Sequence, residues 1–186
     1  MFKYDLKKIK EFTAKNRIAW NDVMPLHQKA NGTRWDERFA DPQFSAQDEN
    51  EKAEFNRVGF IGKNIAQFCC NNGVELLSLK RAGAGRCVGF DISDSAIEEA
   101  NERAKRFNIT VEYVQSDIYE IGSEYDNQFD IVYFTVGAIG WLPDLDKLWS
   151  ICTRLLRENG QILIYEQHPF SLVFSGDGAE NPLNPS

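Results

Sequence analysis

From Gly62 onward the sequence alternates between short apolar runs and longer amphipathic stretches, and this alternation sets the fold class more firmly than any other property. The apolar runs predict strands at residues 65–68, 87–90, 110–114, 129–135 and 161–165, and the amphipathic stretches predict helices at 73–81, 93–108 and 143–158. Strands that alternate with helices in this order predict an α/β fold, a parallel sheet with helices on both faces. The 110–114 strand alternates polar and apolar residues and is expected at the outer part of the sheet.

The remaining residues divide into an N-terminal segment and a tail. Residues 1–58 are polar, with Phe2, Leu6, Ile9 and Phe12 at helical spacing and with little periodicity between residues 31 and 51. This pattern predicts a cap or lid made of helical pieces and a loop. Residues 59–170 are expected to form the core, and residues 171–186 a coil-like tail. A length of 186 residues fits one domain with a small appendage.

Composition and charge exclude several classes of protein. An apolar content of 42% with 26% charged residues is typical of a globular chain, and the longest largely apolar run, residues 131–142, is too short to span a membrane. The N-terminus carries charges where a signal peptide needs an apolar segment, so a cytoplasmic protein without a membrane partner is expected. A net charge of −7 disfavours a nucleic-acid partner. Four cysteines without a C-x-x-C pair, and two histidines, predict no metal site.

The residues that directly follow the strands are the candidate site, because ligands of open parallel sheets bind at the carboxyl ends of the strands. Asp91 follows the second strand and lies 18 residues after Gly73, a spacing typical of a carboxylate that accepts from two ribose hydroxyls. The alternative is that Asp91 only caps the following helix. The turn after the first strand is weak as a glycine-rich fingerprint, because only Gly73 remains, although Cys69 and Asn71 are small enough for a close turn.

Asp117 follows the third strand and adds a second acidic residue at the same edge of the sheet. It is placed to accept from an exocyclic amine such as that of adenine, with Ile92 and Ile118 on either side of the base. Taken alone, a Ser-Asp pair is more often a solvated turn.

Five segments resemble class I S-adenosylmethionine-dependent methyltransferases: FCCNNG, CVGFDIS, QSDIY, FDIVYFTVGAIGWLPDL and ILIYEQHPF. They are most similar to a bacterial subgroup with a C-x-x-G turn in place of the glycine-rich motif, and the resemblance covers about residues 20–170. It implies a Rossmann-like sheet with S-adenosylmethionine laid across strands one to four. By position, it implies that Cys69, Asn71 and Gly73 face the methionine part, that Asp91 holds the ribose, that Ile92, Asp117 and Ile118 hold the adenine, and that Thr135 lies beside the sulfonium.

The sequence departs from this family in two ways. Gln67 stands where the first strand usually has an acidic residue, and the first two glycines of the turn are replaced, which permits a defect in cofactor binding. The family sheet has seven strands and ends in an antiparallel hairpin, whereas five strands are predicted here. We therefore expect either a truncated chain, which is the favoured explanation, or an open edge covered by another chain, as in a homodimer, or a fold that dispenses with the terminal strands.

The resemblance implies transfer of a methyl group to a small-molecule acceptor. Trp20, Phe134 and Trp141 are candidate walls for the positively charged sulfonium, although core packing is the more common role of a residue such as Phe134. Glu166 and His168 follow the fifth strand and are candidates to take a proton from the acceptor; a structural role is an equal alternative for His168. His27 is a candidate lid residue, with a surface histidine as the alternative.

Other functions are kept open on this sequence. One is a nicotinamide-dependent oxidoreductase, which the single glycine of the first turn disfavours. Another is a non-catalytic module that binds a nucleoside cofactor. A hydrolase that uses Cys70 and His168 is discounted, because the ends of strands one and five are expected roughly 10 Å apart.

Overall fold

The computed structural model describes residues 5–168, so the predicted tail at 171–186 lies outside the described residues. The α-helices of this part are α1 (Leu6–Asn31), α2 (Arg34–Phe39), α3 (Glu49–Val58), α4 (Val74–Arg81), α5 (Asp94–Arg106) and α6 (Leu145–Leu155). The strands are β1 (Ile65–Phe68), β2 (Cys87–Asp91), β3 (Glu112–Gln115), β4 (Phe129–Phe134) and β5 (Leu156–Ile164). Within residues 5–168, no helix combines the length and the apolar character that crossing a membrane requires.

The five strands form one parallel sheet in the order β3-β2-β1-β4-β5. The α/β fold with a parallel sheet is therefore confirmed, and β3 lies at an edge as expected. β1 is central: its Gln67 pairs with Gly89 on one side and Tyr133 on the other. β5 forms the other edge among the described residues, and pairing of a second copy along it stays a prediction.

Each face of the sheet is covered by helices, which produces two apolar layers. One layer packs α2, α3, α4 and α5 against the sheet, with Phe39, Phe55, Leu76 and Ile97 among its buried side chains. The other layer buries Leu148, Ile151, Cys152 and Leu155 of α6, together with Ile9 of α1. The N-terminal helices therefore contribute Ile9, Phe39 and Phe55 to the same two apolar layers as the sheet.

The boundary between α6 and β5 differs from the prediction. The predicted helix at 143–158 ends at Leu155, and β5 begins at once at Leu156 instead of at residue 161. Between the pairs Phe129↔Leu156 and Ile131↔Gln161, β5 carries extra residues that interrupt the ladder. Asn159 takes a left-handed φ of 63° in this irregular stretch. The predicted boundary between the helix at 143–158 and the strand at 161–165 therefore lies inside the irregular part of β5.

The N-terminal segment is more helical than predicted. α1 is one continuous helix of 26 residues, which begins after Asp5, whose carboxylate accepts from the backbone N–H of Lys8, and ends at Gly32. Residues 31–51, for which a loop was expected, contain α2 and the start of α3. The periodicity of α1 is weak because only Ile9, Thr13 and Met24 are buried along its length. The other residues of the helix are half-buried or exposed.

Candidate functional site

A cavity of about 400 Å³ opens at the carboxyl ends of β1, β2, β3 and β4, beneath α1. Seven of the eight residues predicted to bind a cofactor line it: Cys69, Asn71, Asp91, Ile92, Asp117, Ile118 and Thr135. The eighth, Gly73, is not part of the lining but begins α4 directly behind Asn71 and Asn72. Loop residues separated by up to 66 positions in the sequence therefore meet around one space.

The turn between β1 and α4 keeps a left-handed backbone at every second residue. The φ angles are 52° at Cys69, 47° at Asn71 and 73° at Gly73. Asn71 is a common residue for this conformation, whereas Cys69 is strained in it. The Asn71 carboxamide oxygen accepts from the N–H of Asn72 at 2.7 Å and so stabilises the turn. The replaced glycines thus leave a turn that still brings the backbone to the cavity.

Asp91 joins the first two strand ends. Its carboxylate accepts from the N–H of Asn71 at 2.8 Å through one oxygen and from the N–H of Ser93 at 2.9 Å through the other. The cap of α5 is Ser93, whose hydroxyl accepts from the N–H of Ala96, so Asp91 is not the helix cap. Burial raises the pKa of Asp91 above its ordinary value. A carboxylate has about four acceptor positions, so each oxygen retains one for a ligand in the cavity.

Asp117 has a local role and also faces the cavity. Its carboxylate accepts from the N–H of Tyr119 at 3.0 Å and caps the short helical turn Ile118–Glu120. The turn interpretation of Asp117 is therefore correct, and the residue lines the cavity beside Ile118 at the same time. Ile92 and Ile118 supply apolar surface near it.

The roof of the cavity is α1, which is tied to the strand ends by polar contacts. Arg17 donates to both carboxylate oxygens of Asp94 at 2.9 and 2.7 Å, and Asn21 donates to Asp94 at 2.8 Å. These contacts lower the pKa of Asp94 to about 2, with the hydrogen bond from Arg17 as the largest cause. Ser93 donates to the carboxamide oxygen of Asn21 at 2.7 Å. α1 is thereby held over the start of α5.

The loop after β4 meets α1 through aromatic side chains. The Trp20 and Trp141 rings lie edge to face with their centroids 5.3 Å apart, and Asn16 donates to the carbonyl of Trp141 at 3.0 Å. Both tryptophans line the cavity, as does His27, whose ring centroid lies 6.0 Å from that of Trp20. Phe134 is fully buried in the core and does not line the cavity, so its interpretation as a wall is wrong.

The residues considered for proton transfer lie elsewhere. Glu166 accepts from the N–H of Gly137 at 2.7 and 2.9 Å and so fixes the loop after β4, and His168 is exposed near the end of the described chain. Neither lines the cavity, and their catalytic role stays a prediction. Cys70 is fully buried, and burial raises the pKa of its thiol well above the ordinary value, which disfavours it as a nucleophile.

Several lining residues were not predicted from the sequence: Thr13, Asn16, Asn31, Trp35, Asn72 and Glu75. Thr13, Asn16, Trp20, His27 and Asn31 follow one another at intervals of three, four or seven residues, which places them on one face of α1. The sequence shows this spacing, but the spacing indicates a common face only if residues 13–31 form one continuous helix. Trp35 and Glu75 come from α2 and α4 and had no such signal.

Glu75 is a cavity residue whose ionisation is strongly perturbed. Burial raises its pKa from 4.5 to about 7, even though the side chain keeps part of its surface exposed to the cavity. Nearby, Gln67 is fully buried, and its side chain lies close enough to the Glu75 carboxyl to lower the pKa of that group against the larger effect of burial. Tyr133 donates a short hydrogen bond to Glu51, a second buried carboxyl whose pKa burial raises. A polar cluster thus lies in the core below the cavity.

Replacing Glu75 with glutamine is expected to make stability less dependent on pH. A carboxyl whose pKa is higher in the folded state stabilises the fold below pH 4.5, and this contribution is lost as the pH rises to about 7. The variant should therefore gain on the order of 2 kcal/mol in the free energy of unfolding, relative to wild type, between pH 5 and pH 8. Urea unfolding at several pH values measures it. Glu98→Gln, at an exposed position of α5, is the control. A difference between Glu75→Gln and wild type that does not change with pH would contradict the burial of this carboxyl.

Comparisons of this chain with a family model and with known proteins both find methyltransferases. The family described as "Methyltransferase domain" matches residues 65–160 of this chain. A ribosomal protein L11 methyltransferase of Dictyoglomus thermophilum is 34% identical over 99 residues, 53% of this chain and 31% of that protein. A ubiquinone biosynthesis O-methyltransferase of Methylococcus capsulatus is 26% identical over 105 residues, 56% of this chain and 44% of that protein. The chain thus spans less than half the length of these relatives.

A solved structure supports the fold. The phosphoethanolamine N-methyltransferase 2 of Haemonchus contortus, determined in complex with phosphomonomethylethanolamine and S-adenosylhomocysteine, superposes with a TM-score of 0.60 at 24% identity. The alignment covers 78% of this chain and 35% of that one. At this identity the similarity concerns the architecture of the sheet and its helices.

Proposed function

The chain belongs to the methyltransferase domain family, and we propose that it binds S-adenosylmethionine in the cavity beneath α1 and transfers the methyl group to a small-molecule acceptor. The observation that carries this proposal is the meeting of Asp91, Asp117 and the β1 turn around one cavity. In parallel sheets this edge is the common place for nucleotide-like ligands. The family match supports the same reaction.

The residues present fit such a cofactor. The volume of about 400 Å³ lies within the range of small-molecule sites. Asp91 would hold the ribose diol with the acceptor positions that its two backbone contacts leave free, and Asp117 would accept from the adenine amine between Ile92 and Ile118. Cys69, Asn71 and Thr135 would lie along the methionine part, with Gly73 shaping the turn behind them. The replaced glycines do not remove the left-handed turn, so they give no reason to expect a binding defect.

When bound, S-adenosylmethionine supplies a methyl group already activated on a sulfonium, and the chain's own residues have three tasks. The strand-end loops orient the reacting groups, and orientation contributes about 7–11 kcal/mol in favourable reactions. α1 closes the cavity from above through Arg17, Asn21 and Trp20, and so limits the access of water. The carboxylates at 75, 91 and 117 favour a positive charge in the cavity.

A small-molecule acceptor is favoured by the enclosure of the cavity under α1 and by the net charge of −7. The relatives named above differ in their acceptors, since one name refers to a ribosomal protein and another to ubiquinone biosynthesis. A protein or nucleic-acid acceptor would have to reach the cavity past α1.

Isothermal titration calorimetry with S-adenosylhomocysteine, S-adenosylmethionine and NAD tests the cofactor. One molecule of either adenosyl ligand per chain and no NAD binding are expected. Incubation with labelled S-adenosylmethionine and a panel of small acceptors then tests the transfer. NAD binding without adenosyl-ligand binding would favour the oxidoreductase alternative. Cofactor binding without any labelled product would favour a non-catalytic module.

A further inference from the structure

α1 crosses the whole length of the cavity, and the two ends of the cavity are lined by different side chains. Thr13 and Asn31 both line it and lie about 27 Å apart along the helix axis. The ion pair between Lys10 and Glu120 fixes the beginning of α1 near the turn that carries Asp117. The nucleoside side of the proposed site is therefore the Thr13 end.

The opposite end, called the acceptor end here, is lined by Trp20, His27, Asn31, Trp35 and Glu75. Asn31 also borders a polar groove that contains Arg103, and Arg103 donates to the carbonyl of Asn72 at 2.8 Å. Asn72 is three residues before Glu75. These contacts locate the start of α4, and Glu75 with it, beside the end of α1.

The charges at the acceptor end favour a cation. No lysine or arginine is among the described residues that line the cavity, and Glu75 is the carboxyl of the acceptor end, since Asp91 and Asp117 belong to the nucleoside side. The nearby guanidinium of Arg103 is engaged elsewhere, at 2.5 Å from Glu99 and 3.4 Å from Asp36. Arg34 and Arg38 lie over the ring of Trp35 at 5.8 and 5.6 Å and do not line the cavity. An anionic group would therefore meet no lysine or arginine in the described lining, where His27 is the one basic side chain.

The aromatic side chains at the acceptor end also favour a cation. Trp20 contacts both Trp141 and His27, so these rings form a continuous wall. The faces of tryptophan rings attract ammonium groups, and more strongly where water is excluded. A half-buried carboxyl and indole rings around one space are a combination that selects organic ammonium ions.

We propose that the acceptor end takes a small amine, held as its ammonium by the carboxylate of Glu75 and the indole wall of Trp20 and Trp141. This inference rests on the proposed function and names the class of its acceptor. It makes Glu75 the residue that selects the acceptor and also the group that receives its proton.

The chemistry balances with these groups alone. The ammonium gives one proton to the Glu75 carboxylate, and the lone pair that remains on nitrogen forms the new bond to the methyl carbon. The carbon–sulfur bond breaks with its electron pair on sulfur, which leaves S-adenosylhomocysteine, with a neutral sulfur, and the methylated amine as its ammonium. A Glu75 pKa of about 7 suits an acceptor of this proton near neutral pH.

Three probes of similar shape and different charge test the inference by calorimetry in the presence of saturating S-adenosylhomocysteine: n-butylamine, 1-butanol and butyrate. Butylamine, as its ammonium, should bind at least about tenfold more tightly than butanol, and butyrate should not bind. Glu75→Gln should remove most of this preference while its affinity for S-adenosylhomocysteine stays within about threefold of wild type. Glu98→Gln, an exposed carboxylate of α5 outside the cavity, should behave as wild type.

Three results would overturn the inference. Equal binding of butylamine and butanol would remove the selection of a cation, and tighter binding of butyrate would reverse it. A loss of S-adenosylhomocysteine affinity in Glu75→Gln would assign Glu75 to the cofactor instead of the acceptor. In each of these cases binding of S-adenosylhomocysteine to the wild type leaves the proposed function standing. If the wild type does not bind S-adenosylhomocysteine, the proposed function itself fails.

Discussion

Replacing Asp91 with alanine is expected to weaken the binding of S-adenosylmethionine at least tenfold. The substitution removes the proposed contacts with the ribose hydroxyls, and a hydrogen bond to a charged group contributes about 1.5–3 kcal/mol. It also leaves the backbone N–H groups of Asn71 and Ser93 without their present acceptor, which loosens both turns that face the cavity. Calorimetric titration of the variant against wild type measures the loss. Unchanged affinity would exclude Asp91 from the site.

The Ser93→Ala variant separates the loss of ribose contacts from the loosening of the turns. It removes the hydroxyl that caps α5 and disturbs the same turn, but it keeps the Asp91 carboxylate. Loss of a helix cap costs about 1 kcal/mol of stability. We expect that cost in urea unfolding, with an S-adenosylmethionine affinity within about threefold of wild type. An equal loss of affinity in the two variants would mean that Asp91 acts by holding the turn and not by contacting the ligand.

Replacing Gly73 with alanine is expected to lower the free energy of unfolding by about 3 kcal/mol and to abolish cofactor binding at micromolar concentration. Two costs add at this position. Its φ of 73° disfavours any side chain, and a Cβ there would lie 2.5 Å from the ring of Tyr113. That ring is buried and its hydroxyl donates to the carbonyl of Gly73 at 2.6 Å, so it cannot move without losing this hydrogen bond. Chemical denaturation gives the stability change.

Gly59→Ala is the matched control, because Gly59 has nearly the same φ of 72° and a Cβ there would meet nothing within 4 Å. It should cost only about 1 kcal/mol, the backbone contribution alone. Gly59 does not line the cavity, so we expect unchanged cofactor affinity. Equal destabilisation by the two substitutions would contradict the close approach of Tyr113 to the β1 turn.

The sheet and the strand-end site could be predicted because their sequence signals are local and strong. β1 has the predicted bounds, and α5 lies within the helix predicted at residues 93–108. Asp91 and Asp117 follow strands whose carboxyl ends must meet in a parallel sheet, so their common cavity follows from topology. The boundary between α6 and β5 was misplaced because residues 156–158, which continue the helical pattern of the sequence, begin β5 instead.

The helix α1, which covers the cavity, could not be predicted in full because it buries little apolar surface. A helix is recognised in a sequence by an apolar stripe, and α1 instead directs Asn16, Trp20 and His27 toward a cavity. Glu75 is a different case: it looks like an ordinary acidic residue in the first turn of α4. Its raised pKa arises from burial in the folded chain, which is a property of the tertiary structure.

The most direct test of the central claim is a crystal structure of the protein with S-adenosylhomocysteine. We predict one ligand beneath α1, with its ribose hydroxyls within hydrogen-bond distance of the Asp91 carboxylate and its adenine amine on Asp117 between Ile92 and Ile118. A ligand bound elsewhere, or an adenine that contacts neither carboxylate, would contradict the assignment of this cavity.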